Sequence, residues 1–302
     1  MGESSNVSCS HHRGAGSLPI LFWAGRMSAK PTALPDYDRQ LSGFHKAFEA
    51  ELEAALDALP LKTAKRVLDL ACGDGFYTRR LAERMGPEAS ITGADLNQVY
   101  LDKAKQEARL QTKGAKIDFV IARFDELPFA EDSFDLVWCA QGLFSLPDPV
   151  LALEHMRRVV RPGGLVAILE NDSLHQVSLP WPVPLELEVR AAELQAFIEE
   201  GRHSSRYYIG RRLPSVIAAA GLEPLKMTTQ AIDRQAPLGK SEQILLQSYL
   251  ENVAKRVAPH LEASLFEKLA DLIDPKSNNH LLRQPYLHMT WLNVLAIGKK
   301  PL

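Results

Sequence analysis

The spacing of apolar residues alternates between two patterns along much of the chain. Between residues 36 and 59 they recur every three or four positions, which is typical of one face of a helix. Beyond that stretch, short apolar runs of strand length alternate with stretches of helical spacing. The predicted helices cover 36–59, 77–85, 98–112, 150–160, 185–200, 211–220, 244–257 and 261–273, and the predicted strands cover 66–72, 90–95, 117–122, 134–140, 165–170, 223–233 and 289–297. This alternation predicts an α/β fold with a doubly wound, mostly parallel, seven-stranded sheet.

The same pattern divides the chain into a short tail and one domain. Residues 1–30 are rich in Ser, Gly and His, and we predict that they form a disordered tail. Residues 31–302 are predicted to form a single domain whose core spans 36–170. The regular alternation stops after Glu170, and 171–210 and 235–288 are interpreted as insertions that form a cap over the substrate.

Composition narrows the class of protein. Hydrophobic residues make up 46% and charged residues 24% of the chain, as in globular proteins, and the formal charge of −2 disfavours a nucleic-acid partner. No apolar run reaches the length of about 18 to 20 residues that a membrane span requires. The three cysteines form no CxxC pair, which predicts neither a disulfide framework nor a metal site and favours a reducing, cytoplasmic location.

The turn after the first predicted strand carries the candidate chemistry. It reads Asp69-Leu70-Ala71-Cys72-Gly73-Asp74-Gly75, and its glycines permit positive φ angles and close approach of a ligand to the backbone. Asp95 ends the second strand, where an acid can accept both hydroxyls of an adenosine ribose. A nicotinamide-binding site is the first alternative. It requires a third glycine at the position of Thr78, and Asp69 would repel a pyrophosphate but suits a ligand with an ammonium and a sulfonium.

The segment Val67-Leu68-Asp69-Leu70-Ala71-Cys72-Gly73-Asp74-Gly75-Phe76-Tyr77-Thr78 resembles the first motif of class I S-adenosylmethionine-dependent methyltransferases. Three further stretches resemble later motifs of that family in the same order: Asp95, Phe124 to Phe129 with Ser133-Phe134-Asp135, and Arg161-Pro162-Gly163-Gly164. The matches run from about Tyr37 to Glu170 and are similar to the branch that methylates ubiquinone and menaquinone precursors. The resemblance implies S-adenosylmethionine as cofactor and a small-molecule methyl acceptor as partner.

The resemblance also implies roles for individual residues. Asp69, Gly73 and Gly75 would cradle the methionine and ribose portions, Asp95 would hold the ribose hydroxyls, and Leu96 would pack on the adenine. Arg123 stands where the family often has an adenine-binding Asp, which leaves adenine recognition to the Phe124 region. The residues predicted to bind the cofactor are Tyr37, Asp69, Ala71, Gly73, Gly75, Asp95, Leu96, Arg123, Phe124, Ala140 and Gln141.

The acceptor side is less defined by the sequence. The insertion at 235–288 is interpreted as a helical cap over the acceptor, with a homodimer interface as the alternative. His175, after the fifth strand of the core, is the candidate general base if the acceptor is a hydroxyl, ahead of His45 and His288. The alternative interpretation of His175 is a structural histidine that forms hydrogen bonds within its own loop. A methyltransferase acting on protein or RNA and a non-catalytic S-adenosylmethionine-binding protein remain as other functions. An Asn- or Asp-Pro-Pro-aromatic motif typical of nucleic-acid amine methyltransferases is replaced here by Ala140-Gln141-Gly142-Leu143.

Overall fold

A computed structural model describes residues 38–111, 113–199 and 207–302. The predicted tail (1–30) and Tyr37 lie outside the described residues. The helices are α1 (Asp38–Ala47), α2 (Glu49–Asp57), α3 (Phe76–Arg84), α4 (Gln98–Ala108), α5 (Pro149–Val159), α6 (Val183–Glu199), α7 (Leu213–Ala219), α8 (Lys240–Val257) and α9 (Ala263–Ile273). The strands are β1 (Arg66–Leu70), β2 (Ser90–Asp95), β3 (Lys116–Ile121), β4 (Phe134–Ala140), β5 (Val160–Glu170), β6 (Val177–Ser178), β7 (Glu223–Gln235) and β8 (His288–Lys299).

The strands form one sheet in the order β3-β2-β1-β4-β5-β8, with β7 on the far side of β8. The first five strands of this order are parallel, and β8 runs antiparallel to both β5 and β7. From β1 the chain adds β2 and β3 on one side of the sheet and then returns to add β4 and β5 on the other side. This reversal of strand order leaves a crevice at the carboxyl ends of β1, β2 and β4. The prediction of a doubly wound, mostly parallel sheet is confirmed. An eighth, two-residue strand, β6, continues the line of β5 along β8 and was not predicted.

Two hydrophobic layers cover the sheet. On one face, α1, α2, α3, α6 and α8 pack against the side chains of Trp138 and Trp291. On the other face, α5 and α7 pack against alternate residues of the same strands, including Val137 and Cys139. This division follows from the strand period of two, which points successive side chains to opposite faces.

Several boundaries differ from the prediction. The single helix predicted at 36–59 is two helices, because Phe48 leaves the helical region with φ −121° and ψ 22°. Its buried ring still packs on the core. Strand β5 begins at Val160 rather than 165, since Val160 pairs with Phe134 before a bulge shifts the register to Leu136–Leu165. The first helix of the insertion 235–288, α8, starts four residues earlier than predicted, at Lys240.

The helices of the second insertion fold back onto their own chain. The buried face of α8 packs against α1 and α6, and Asn252 on α8 donates to the side chain of Gln40 on α1 at 2.6 Å. Gly43 of α1 lies directly against the backbone of Leu245, where a Cβ would approach it to 3.3 Å. We call this layer of α1, α6, α8 and α9 the cap. Within the described ranges, no helix combines the length and the apolar character needed to cross a bilayer.

Candidate functional site

The turn between β1 and α3 adopts a conformation that few residue types accept. Ala71, Gly73 and Gly75 all have positive φ angles, of 60°, 52° and 75°. Gly75 forms the N-terminal boundary of α3, and a Cβ there would lie 3.0 Å from that of Ala104. Glycine is required at Gly75 for both reasons, whereas Ala71 adopts its left-handed backbone at an energetic cost. The turn therefore directs its backbone into the crevice beyond β1.

Asp95 at the end of β2 is tied to this turn. Its Oδ2 accepts from the backbone N–H of Gly73 at 2.9 Å, and its Oδ1 accepts from that of Asn97 at 2.8 Å. The side chain is half-buried, and burial raises its carboxyl pKa even though the two backbone donors act in the opposite direction. The carboxylate is thus oriented by the backbone and keeps lone pairs toward the crevice.

Asp69, the other acid of the motif, is buried two strand positions deeper in the sheet than Asp95, since it pairs with Gly93. Its Oδ2 accepts from Thr78 Oγ1 at 2.5 Å, across the turn. Burial raises the pKa of Asp69 to about 7, and the nearby Asp95 adds to the shift, while the Thr78 hydroxyl acts against it. The threonine that replaces the third glycine of a dinucleotide fingerprint therefore has a specific task here, which is to hold this carboxyl.

The loop after β4 faces the turn from the other side of the crevice. Gln141 has a φ of 52°, and its side-chain amide donates to Asn171 Oδ1 at 3.0 Å. A Cβ on Gly142 would lie 2.9 Å from Ala71 Cβ, so the two loops are in close contact. Non-glycine residues with positive φ on both loops store backbone strain, which is typical of functional sites.

A buried acid fixes that loop. Glu170, at the end of β5 and 1% exposed, accepts from the backbone N–H of Leu143 at 2.6 Å and of Phe144 at 3.3 Å through Oε1. Burial raises its pKa to about 8, although these donors favour the charged form. Its neighbour Asn171 links Gln141 to the side chain of Asn293 on β8. The carboxyl ends of β4 and β5 are thereby connected to the middle of β8 by side-chain hydrogen bonds.

The structure brings most of the predicted cofactor residues to this one edge of the sheet. Seven of them lie in or beside the crevice at the ends of β1, β2 and β4: Asp69, Ala71, Gly73, Gly75, Asp95, Ala140 and Gln141. Leu96 follows Asp95 and is half-buried, and Phe124 lies close to Gly142. The side chain of Arg123 is exposed and forms a two-point ion pair with Asp125 at 2.9 and 2.8 Å. Tyr37 is outside the described residues.

His175 lies apart from this group. Its exposed ring lines a surface groove with Thr290 and Leu292 of β8. Glu186 of α6, a helix of the cap, lines the same groove. The backbone N–H of His175 donates to its own loop at Asp172 O, 2.9 Å away.

Sequence reasoning missed three residues of the site. Glu170 and Asn171 were assigned only to the end of a strand. Gly142 was named only as part of Ala140-Gln141-Gly142-Leu143, the stretch that replaces the motif of nucleic-acid amine methyltransferases. An acid that ends a fully apolar strand at the carboxyl edge is a signal that points to Glu170. The contact of Gly142 with Ala71 joins segments about seventy residues apart, and no local pattern indicates it.

The cysteines and acids offer no other reactive centre in the part of the chain that the structure describes. Burial raises the thiol pKa of both Cys72 and Cys139 well above its usual value. No group of three or more His, Cys, Asp or Glu side chains within 38–111, 113–199 and 207–302 is arranged to hold a metal ion.

Comparison with known proteins identifies the domain. Residues 67–164 match the model of a family described as "Methyltransferase domain". The chain is 36% identical over 133 residues to the ubiquinone/menaquinone biosynthesis C-methyltransferase UbiE of Rhizobium meliloti, covering 44% of this chain and 51% of that protein. It is 29% identical over 183 residues to methyltransferase GfsG of Streptomyces halstedii, covering 61% of this chain and 62% of that protein. The matched regions thus span between about half and two thirds of these relatives.

Solved structures share the fold at low sequence identity. A candidate methyltransferase from Bacillus halodurans superposes with a TM-score of 0.55 at 17% identity, covering 84% of this chain and all of that one (100%). The [4+2]-cyclase SpnF superposes with a TM-score of 0.50 at 20% identity, covering 85% and 82%. Together with the family match, these findings confirm the resemblance. The chain contains a class I S-adenosylmethionine-dependent methyltransferase domain with the Rossmann-like fold of that class.

Proposed function

We propose that this protein transfers the methyl group of S-adenosylmethionine to a small organic molecule. The observation that carries the proposal is the convergence of Asp69, the Gly73–Gly75 turn, Asp95 and Gln141 at the carboxyl ends of β1, β2 and β4. An open α/β sheet binds its ligands at this edge. The two curated relatives support methyl transfer as the reaction, and the name of the Rhizobium protein supports a small molecule as the acceptor.

The residues present fit the cofactor. Gly73 has no other heavy atom within 4 Å of the position that a Cβ would take, so a ligand can approach its backbone. Asp95 is held by two backbone N–H groups with acceptor capacity left for ribose hydroxyls. Asp69 places a carboxyl where a ligand with an ammonium and a sulfonium favours its ionised form. The exposed, ion-paired Arg123 leaves contact with the adenine to Leu96 and Phe124.

The bound cofactor supplies an activated methyl group on a sulfonium, whose leaving group is a neutral thioether. The protein's own residues are therefore required mainly to orient and to exclude water. Ala140 and Gln141 end β4 beside the turn, and the hydrogen bonds from Gln141 to Asn171 and from Asn171 to Asn293 fix that wall of the site. The cap, packed on the same face of the sheet as α3, would cover the acceptor.

The acceptor atom is not specified by these arguments, and oxygen, nitrogen and carbon nucleophiles all fit the proposal. A hydroxyl acceptor would need to lose a proton, and His175 is the base predicted for that case. Its exposed ring lines a groove with Thr290, Leu292 and Glu186 of α6, so kinetics must decide between a base and catalysis by placement alone. If His175→Ala lowers kcat by less than about threefold, well under the range of general-base catalysis, His175 has no part in the mechanism.

Two measurements test the proposed function. Isothermal titration calorimetry with S-adenosylhomocysteine should detect binding by the full chain. Incubation with S-adenosylmethionine labelled on the methyl group should then transfer label to members of a library of small phenols, enols and amines. A folded sample that binds neither S-adenosylmethionine nor S-adenosylhomocysteine would contradict the proposal.

A protein that binds S-adenosylmethionine without transferring its methyl group is the second candidate. The fold alone does not separate the two candidates, since a protein named as a [4+2]-cyclase shares it. Cofactor binding without any transfer of label across the library, and across added RNA and protein, would support this candidate. Transfer of label to RNA or protein alone would contradict a small-molecule acceptor and identify RNA or protein as the acceptor instead.

A further inference from the structure

A groove along the free edge of β3 lies outside the site described above. It has a volume of about 530 Å³ and is bordered by α4, by β3 and by Pro87, which precedes β2. Lys116, where β3 begins, also lines the groove. The cofactor residues lie at the carboxyl ends of the strands, so the groove is a separate surface near the amino ends of β2 and β3.

The main chain of β3 is unpaired along this groove. Among the described strands, β3 pairs with β2 alone. The backbone N–H of Lys116 donates to Ala89 O, just before β2, at 3.0 Å. Since the main-chain groups of successive residues point to opposite sides of a strand, those of Ile117 and Phe119 point away from β2. Both residues line the groove, which therefore offers unpaired main-chain donors and acceptors at alternate positions.

The groove is also strongly basic. Four exposed bases line it: Lys105 and Arg109 beside α4, Lys113 before β3, and Lys116 of β3. No acid is among its lining residues within the part of the chain that the structure describes. Lys116 lies 3.5 Å from Asp118 on the same strand, and both of these side chains are mostly exposed. The groove therefore concentrates positive charge on a chain whose formal charge is −2, and it favours an anionic ligand.

Bases on an edge strand also have a protective role, because they keep an unpaired edge from joining other strands. The opposite edge of the sheet, β7, has a different arrangement, in which Lys226 and Arg234 share the strand with Glu223 and Asp233. At β3, bases from α4 and from the loop before β3 line the same groove as the free main chain. Charges of one sign repel a basic strand and attract an acidic one, so this arrangement selects one kind of partner as well as excluding others.

We propose that the edge of β3 binds an extended acidic segment of a partner protein, which adds a strand beside β3 and places its carboxylates against the four bases of the groove. Main-chain hydrogen bonds with Ile117 and Phe119 supply affinity, and the charges supply specificity. A nucleic acid would match the charges but would not reproduce the alternating donors and acceptors of a strand. This interaction surface is independent of the proposed methyl transfer.

The experiment compares four fluorescent probes: an octapeptide in which glutamate and valine alternate, the same peptide with every backbone nitrogen methylated, an octapeptide of alternating lysine and valine, and an oligouridylate of eight nucleotides. Each is titrated with the full chain and followed by fluorescence anisotropy, in about 50 mM NaCl so that charges are weakly screened. We expect the acidic peptide to bind about tenfold more tightly than each of the other three, the equivalent of one or two hydrogen bonds.

Matched variants test the charges and the main chain separately. Lys105→Glu should weaken binding of the acidic peptide about fivefold. Its control is Lys255→Glu, which makes the same charge change at an exposed lysine that also lies in the last turn of its helix, and it should leave the affinity unchanged. Ile117→Pro removes an outward N–H, whereas Ile117→Ala removes the side chain and keeps that donor. The proline variant should bind about fivefold less tightly than the alanine variant, since an edge strand tolerates proline where its N–H faces outward.

Circular dichroism establishes that each variant is folded, and if Ile117→Pro is not, the methylated peptide still tests the main-chain contacts. Equal binding of the methylated and unmethylated peptides would overturn strand pairing, and tighter binding of the oligouridylate would overturn a protein partner. Equal losses in Lys105→Glu and Lys255→Glu would mean that only the overall charge matters, which contradicts recognition by the groove. No binding of the acidic peptide would overturn the proposal and leave protection of the edge as the role of these bases.

Discussion

The crevice at the ends of β1, β2 and β4 and the cap above the same sheet are built in different ways. In the crevice, three left-handed backbone positions and two oriented carboxyls define the surface, and Gly73 leaves its backbone open to approach. Beneath the cap, large side chains such as Phe48 and Trp291 of β8 fill the space between the helices and the sheet. The first region depends on main-chain conformation and the second on side-chain packing. Substitutions should therefore separate cofactor affinity from stability.

The largest expected effect is a loss of stability from a substitution beneath the cap. Trp291 is fully buried and contacts Phe44, Phe48 and Tyr249. Trp291→Ala should lower the free energy of unfolding by about 3 to 5 kcal/mol, through lost burial and a cavity. Urea unfolding measures the loss, with Tyr286→Ala as the exposed control, which should change it by less than about 0.5 kcal/mol. A fall in S-adenosylhomocysteine affinity as large as the fall in stability would show that the two regions are not separable.

Substitution of Asp95 should affect cofactor affinity rather than stability. Asp95→Ala should weaken S-adenosylhomocysteine binding by about 1 to 3 kcal/mol, because it removes acceptors for the ribose and for the N–H of Gly73. Asp95→Asn keeps one acceptor oxygen and should lose less. Calorimetric titration at a temperature where both variants are folded decides the matter. Equal affinity in wild type and Asp95→Ala would remove Asp95 from the cofactor site.

A pH effect of about tenfold is expected from Asp69, whose pKa is raised to about 7 by burial. A ligand with positive groups binds the ionised carboxyl, so its affinity should fall as the pH drops below the pKa and level off above it. Between pH 8 and pH 6, the dissociation constant for S-adenosylmethionine, which carries the sulfonium, should rise about tenfold, one pKa unit being 1.36 kcal/mol. Asp69→Asn should bind less tightly at pH 8 and show a flatter profile. A wild-type pH profile as flat as that of the variant would show that ionisation of Asp69 does not control cofactor affinity.

The smallest effect concerns backbone strain at Ala71. A non-glycine residue at φ 60° is strained, so Ala71→Gly should raise the free energy of unfolding by up to about 1 kcal/mol. The matched control is Ala54→Gly, at an exposed position in the interior of α2, which should lower it by about 1 kcal/mol because glycine weakens a helix interior. Opposite signs in thermal or urea unfolding would confirm that Ala71 is strained. A loss at both positions would mean that the turn tolerates alanine at no cost.

The sequence alone determined the order of helices and strands, the parallel sheet and the location of the cofactor turn. These are local properties: the spacing of apolar residues fixes which face is buried, and the glycines and acids of 69–75 and Asp95 occur next to the strands that position them. The resemblance to class I methyltransferases then followed from short, ordered motifs. Even so, the break at Phe48 and the early start of β5 were not predicted, since packing and pairing override local pattern there.

Tertiary structure decided what faces the crevice and the cap. The contact of Gly142 with Ala71, the bonds of Glu170 to Leu143 and Phe144, and the ring contacts of Phe44 and Tyr249 with Trp291 all join residues that are distant along the chain. The role of His175 stays a prediction: its ring lines a groove with Thr290 of β8 and Glu186 of α6, a neighbourhood that no local pattern indicates. The pKa values of Asp69 and Glu170 also follow from burial, which arises only when the sheet, the loops and the cap pack together.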